Sequence, residues 1–186
     1  WPLIRSPWAA IPLGGLLGAA WWLPFPWFGP LWSMAFVVLA VSVENHWSRL
    51  GVAFLYYAVG NLGFLLVEPL EAGFADARSA CLWWGLSVVL LSAGWWYADR
   101  PWKAAVVLLW NAVVPPMAFL NHCSPLSVAE VLFPGMGLLG DAFLLLALGI
   151  GWPEKPSASV VGDWLSILFL LSFLTHIQES LHPVGA

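Results

Sequence analysis

Apolar runs of roughly 20 residues follow one another along this chain, parted by short polar or proline-broken stretches, and no other feature restricts its fold as much. Only 9% of the 186 residues are charged and 61% are hydrophobic. A soluble domain carries about 25% charged residues. The expected class is therefore all-α: a polytopic transmembrane helical bundle. Seven spans are expected, over residues 8–23, 31–43, 50–67, 81–97, 102–120, 137–152 and 164–177. Prolines Pro24, Pro26 and Pro30 close the first span, because three prolines in seven residues do not fit a regular helix. A polar loop at 68–79 precedes the fourth span, and A-D-R-P-W-K ends it. Pro115-Pro116 predicts a kink near the far end of the fifth.

Charge placement orients these spans. With the N-terminus inside, alternation puts Arg5, Arg49, Arg100, Lys103 and Lys155 on the inner side and Arg78 outside. This is the bias of the positive-inside rule. It predicts an N-in, C-out topology; the bacterial inner membrane and a periplasmic C-terminus are what the family resemblance given below implies. Residues 122–140 then lie on the outer side. Net charge is −4 and there is no basic run, so nucleic acid is not an expected partner. Tryptophan is abundant, at 15 residues. Trp21, Trp22, Trp27, Trp32, Trp47, Trp83, Trp84, Trp95, Trp96, Trp102, Trp152 and Trp164 fall near span ends, as interfacial anchors do; Trp110 falls near a span centre.

Small residues recur within spans. Gly14 and Gly18 form a small-x-x-x-small pair that permits close helix approach, read as packing inside the bundle rather than dimerisation. Asn61 and Asn111 sit near mid-span and are expected to hydrogen-bond between helices. Asp141 lies near the outer end of the sixth span, where it either reaches outer water or faces a cavity open to the outside.

No self-contained active site emerges. His122 and Cys123 are adjacent, but neighbouring side chains seldom point at each other. A set of Glu130, Lys155 and Cys123 would have to reach across the membrane. The histidines have irregular spacing, so neither metal nor cofactor is expected. Cys81 and Cys123, both placed outside, could pair or remain free thiols.

Two stretches carry a family resemblance. W-W-L-P-F-P-W-F-G-P-L-W, residues 21–32, resembles the Pro/Phe/Trp-rich turn that ends the first helix of apolipoprotein N-acyltransferases. S-P-L-S-V-A-E-V-L-F-P-G-M-G-L-L-G, residues 124–140, is similar to an outer segment of the TraB proteins of conjugative plasmids. The resemblance implies a membrane part followed by an outward-facing nitrilase-like domain that supplies the Glu, Lys and Cys of acyl transfer. No residue here matches those catalytic positions. Residues 1–178 would be the membrane domain, and the polar end 179–186 a junction into that further domain. A chain that starts at Trp1 rather than Met also reads as a processed product or a fragment.

The implied function is to anchor the catalytic domain at headgroup height and to shape lipid access. Its implied partners are membrane lipids, a phospholipid acyl donor, a lipoprotein substrate and the nitrilase-like domain. Residues 124–137, with Leu126, Val128, Val131, Leu132 and Phe133, would dip into the outer leaflet as a re-entrant arm. Such backbone must be covered by protein or face a wet cavity. Glu130, Phe133 and Asp141 are the candidate lipid or substrate contacts. A small transporter or channel and a non-catalytic membrane scaffold are the competing readings.

Overall fold

The computed structural model describes residues 7–66 and 77–150, and all their regular structure is helical. Helix α1 is Pro7–Ala19, continued by a 3₁₀ turn Ala20–Trp22. Helix α2 is Phe28–Ser42, α3 His46–Gly60 and α4 the single turn Gly63–Leu66. Helix α5, Ala77–Ala93, runs on into a 3₁₀ turn Gly94–Tyr97. Helix α6 is Pro101–Val113 and α7 Met117–Leu120. A 3₁₀ turn Pro125–Ser127 leads into α8, Val128–Leu132, and α9 is Leu138–Ile150. The expected span 164–177, Lys155 and the junction 179–186 lie outside the described residues.

Local chemistry sets most of the boundaries. Asn45 caps α3 by accepting a hydrogen bond from the Trp47 N–H at 2.8 Å. Pro101 opens α6 at the position where a missing N–H costs nothing, and Arg100 before it is extended. Pro30 sits in the first turn of α2 for the same reason, so the proline-rich stretch intrudes into a helix after all. The expected kink at Pro115-Pro116, whose bond is cis, is a complete break between α6 and α7. Helix α5 begins at Ala77 and takes Arg78 and Ser79 out of the expected polar loop. Gly135 and Gly137, at φ 80° and 50°, turn the chain between α8 and α9 through backbone that side chains disfavour.

Helix α1 lies along α3. A Cβ on Gly14 would strike the Val52 backbone, and one on Gly18 would meet the Tyr56 carbonyl and come 3.1 Å from the Gly60 nitrogen. The small-x-x-x-small pair thus packs inside the bundle. Phe36 of α2 stacks on Tyr56 of α3 at 3.8 Å between centroids, with Tyr57 and Trp95 edge-on to it. These aromatics, with Leu91, Leu108 and Val52, form the centre of the core.

The core is apolar, but a few polar side chains lie within it and many large apolar ones lie outside it. Arg49, Asn61, Asn111, Ser33, Ser87 and Ser92 are buried, while Leu138 is 87% exposed, Leu82 74% and Val89 56%. Length is less uniform. Among the described residues one helix, Ala77–Tyr97 with 21 residues, is long and apolar enough to cross a membrane. Phe28–Ser42 and Leu138–Gly149 are apolar but shorter. At 1.5 Å per residue, the 15 residues of α3 reach about 22 Å, against roughly 30 Å of hydrocarbon.

Candidate functional site

The segment after α7 is built from short-range caps. Ser124 accepts from the Leu126 N–H at 3.2 Å, and the Ser127 hydroxyl donates to the Ser124 carbonyl at 2.6 Å. These bonds wind residues 125–127 into a tight turn that starts α8. Pro125, Leu126, Val128 and Ala129 are buried, packed against the flank of α2. Residues 124–129 are therefore covered by protein, one of the two conditions irregular backbone needs at membrane depth. Val131, Leu132 and Phe133 are half-buried. The exposed apolar side chains come later than expected, at Met136, Leu138, Leu139, Phe143 and Leu146.

The structure brings the three candidate contact residues to one corner between α8 and α9. Glu130 is exposed in the first turn of α8, and Asp141 is half-buried in the first turn of α9. Both carboxylates sit where a helix dipole favours negative charge, and the Glu130 carboxylate lies near enough for its charge to act on Asp141. Phe133 lies between them in sequence; its ring is 6.0 Å from that of Phe143. A Cβ on Gly140 would come 3.2 Å from the Phe133 Cβ, so the glycine lets α9 start against α8. Chemically, the corner is an apolar rim with two acids on it and no nucleophile.

Cys123 is buried and Cys81 exposed, and both are free thiols, so the disulfide alternative is not realised. The Cys123 sulfur seats on Gly60, where a Cβ would lie 2.7 Å from it. Burial pushes the Cys123 thiol well above its ordinary pKa, away from the thiolate that a nucleophile requires. Its carbonyl accepts from the Tyr56 hydroxyl at 3.0 Å, and that hydroxyl accepts from the Trp21 indole at 2.9 Å. The chain Trp21–Tyr56–Cys123 ties the end of α1, the middle of α3 and the start of the outer segment together.

Sequence reasoning missed Arg49. It was expected on an inner loop, yet it lies in α3 and is 3% exposed. Its guanidinium donates to the carbonyls of Ala40 (3.2 Å), Val43 (2.8 Å), Glu44 (3.4 Å) and Trp96 (3.0 Å). One cation thus serves the carbonyl ends of α2 and of the turn after α5. Beside it, His46, Trp47 and Trp96 cluster at ring distances of 4.2 and 4.3 Å.

The tryptophans divide into two groups. Trp8, Trp32, Trp47, Trp83 and Trp102 face outward, as anchors do, and Trp110 faces outward too, near the expected span centre. Trp95 does not: it is wholly buried in the core. Trp21, Trp22 and Trp84 use their N–H groups to bridge helices, to the Tyr56 hydroxyl, the Val59 carbonyl and the Ala58 carbonyl.

Among the described residues no three His, Cys, Asp or Glu side chains come together as a metal site. No protein-family model, curated protein or solved structure matches the chain. Its class therefore rests on its own architecture: an all-helical bundle with an apolar core and many large apolar side chains left on its surface.

Proposed function

We propose that this chain is a multi-pass membrane domain of the apolipoprotein N-acyltransferase or TraB kind, set in a bacterial inner membrane with its N-terminus inside. Its role is to hold an outward-facing nitrilase-like domain at the bilayer surface and to shape the path of a phospholipid acyl donor towards a lipoprotein substrate. The extent of exposed apolar surface carries this reading. Exposed Leu82, Leu86, Val89, Leu109, Val113 and Leu146 have no favourable place in water, whereas hydrocarbon accepts them. The outer segment supports the second half of the proposal. It is a protein-backed, proline- and glycine-broken rim that ends in outward Met136, Leu138 and Leu139, a surface that lipid chains can lie against.

Topology is tested with introduced cysteines in a Cys81→Ser background, where the remaining Cys123 is buried. Met136→Cys should react with a membrane-impermeant maleimide from outside, and Tyr97→Cys only after permeabilisation. The reverse pattern would overturn the orientation, and equal access for both would remove the bilayer from the proposal. The role of the rim is tested in the complete protein. Glu130→Ala and Phe133→Ala should lower acyl transfer at unchanged membrane abundance; full activity in both variants sinks the lipid-access role.

A channel for small solutes is a second reading, favoured by one observation: Tyr57, Asn61, Trp95 and Asn111 leave buried polar atoms without partners inside the bundle. Solute flux into liposomes that hold the purified protein would favour it over the first.

A further inference from the structure

Outward aromatic side chains mark two levels on this bundle, one at each end. Helix α1 runs parallel to α3, since Gly14 meets Val52 and Gly18 meets Tyr56. Helix α5 runs the other way. The Trp84 indole reaches the Ala58 carbonyl near the end of α3, and Trp96 packs on His46 and Trp47 at its start. Exposed Trp8, Trp47 and Tyr97 therefore share one end, and exposed Trp22 and Trp83 share the other. Trp8 and Trp22 are separated by the same number of residues as Trp83 and Tyr97. At about 1.5 Å per helical residue and about 2.0 Å per residue of the 3₁₀ turns, each interval covers about 23 Å. Neither interval contains a charged residue, and Leu16, Leu86 and Val89 are exposed within them.

Outward indoles and phenols on membrane helices settle at headgroup level, so the separation of the two levels measures the hydrocarbon layer that this surface fits. An ordinary bilayer offers roughly 30 Å. The shortfall is about 7 Å, and any tilt of the helices widens it. Helices α2 and α3, at 15 residues each, are no longer than these intervals. The longest helix follows the same pattern, because its first turn, beyond Trp83, carries exposed and charged Arg78. A span shorter than the hydrocarbon can be accommodated by thinning of the bilayer around it. We propose that the outward face of this bundle binds a thinned annulus of lipid, and that phospholipids with short acyl chains are the partners it selects. The proposal rests on the membrane reading and adds to it the thickness of the layer that the domain recognises.

The test uses the purified protein in vesicles of equal parts dimyristoleoyl and dierucoyl phosphatidylcholine, a short-chain and a long-chain lipid, with bromine carried first by one and then by the other. Bromine on an acyl chain quenches tryptophan fluorescence on contact. Outward Trp110 is the natural reporter: its neighbour Asn111 donates to the Leu91 carbonyl in the middle of the α5 interval, which sets Trp110 between the two levels. The short-chain lipid should take at least about twice the long-chain lipid's share of the contact. Equal quenching by the two lipids, or stronger quenching by the longer one, overturns the proposal and leaves the membrane reading standing. Protein that does not float with the vesicles in a density gradient overturns both.

Discussion

Arg49 shows what one side chain can do where water is scarce. A buried charge is costly unless its hydrogen bonds are met, and here four carbonyls on two separate stretches of chain meet them. Arg49→Leu strands all four acceptors, and the expected loss is about 3 kcal/mol or more. Arg49→Lys should recover only part, since an ammonium lacks the planar fork that reaches both stretches. Thermal melts of the detergent-solubilised protein by circular dichroism check this; a parent-like melt for Arg49→Leu would show that the network is idle. A weaker effect sits nearby. The Lys103 ammonium, 2.6 Å from Asp99, holds that carboxyl below the usual carboxylate range. A depressed pKa adds stability that is present above the unfolded value near 4 and lost as pH falls through the folded value. Both groups are substantially exposed, so the gain is below about 1 kcal/mol. Asp99→Asn should therefore melt slightly below the parent at pH 7, and the gap should close on acidification; a gap that widens in acid contradicts the assignment.

Among the elements, α1 and α3 form the most legible pair. The spacing of Gly14 and Gly18 announces a face where another backbone comes close, and the neighbour proves to be Val52 and Tyr56. Gly18→Ala should separate the two helices and lower the melting temperature. Gly85→Ala is the control: it meets nothing within 4 Å on α5, and by helix propensity it should stabilise by roughly 0.5–1 kcal/mol. Equal effects from the two would show that backbone entropy, not contact, governs both. The chain break after Val113 and the cluster of Glu130, Phe133 and Asp141 were also within reach of the sequence, because proline, glycine and local spacing act over a few residues. Arg49, Trp95 and Tyr57 were not. Each has a partner more than 20 residues away, Trp96 for Arg49 and Phe36 for the two aromatics, and neither hydropathy nor composition distinguishes an indole at a headgroup from one in a core.

At the scale of the whole molecule, the question is what solvent the outer surface is made for. Val89 lies near the middle of the Ala77–Tyr97 helix and is 56% exposed. In a soluble protein Val89→Lys would be harmless. In a bilayer it should cost about 2.5–3.5 kcal/mol on insertion, whereas Tyr97→Lys at the helix end should be tolerated. The amount of each variant recovered in the membrane fraction measures the difference, and equal recovery would count against a bilayer setting.

The shortness of α3 acquires a physical meaning from its far end. A helix terminus leaves carbonyls open, and in most proteins water fills them. Here the Ala58 carbonyl is taken by the Trp84 indole at 3.0 Å and the Val59 carbonyl by the Trp22 indole at 2.9 Å. Two rigid donors, each on a broad apolar plate, do the work of solvent. With the Asn61 N–H on the Tyr57 carbonyl at 2.9 Å, three of the four carbonyls in the last turn have partners within the chain. Tryptophan then has a use in this chain besides surface anchoring: its N–H groups reach across from neighbouring elements to close a helix end.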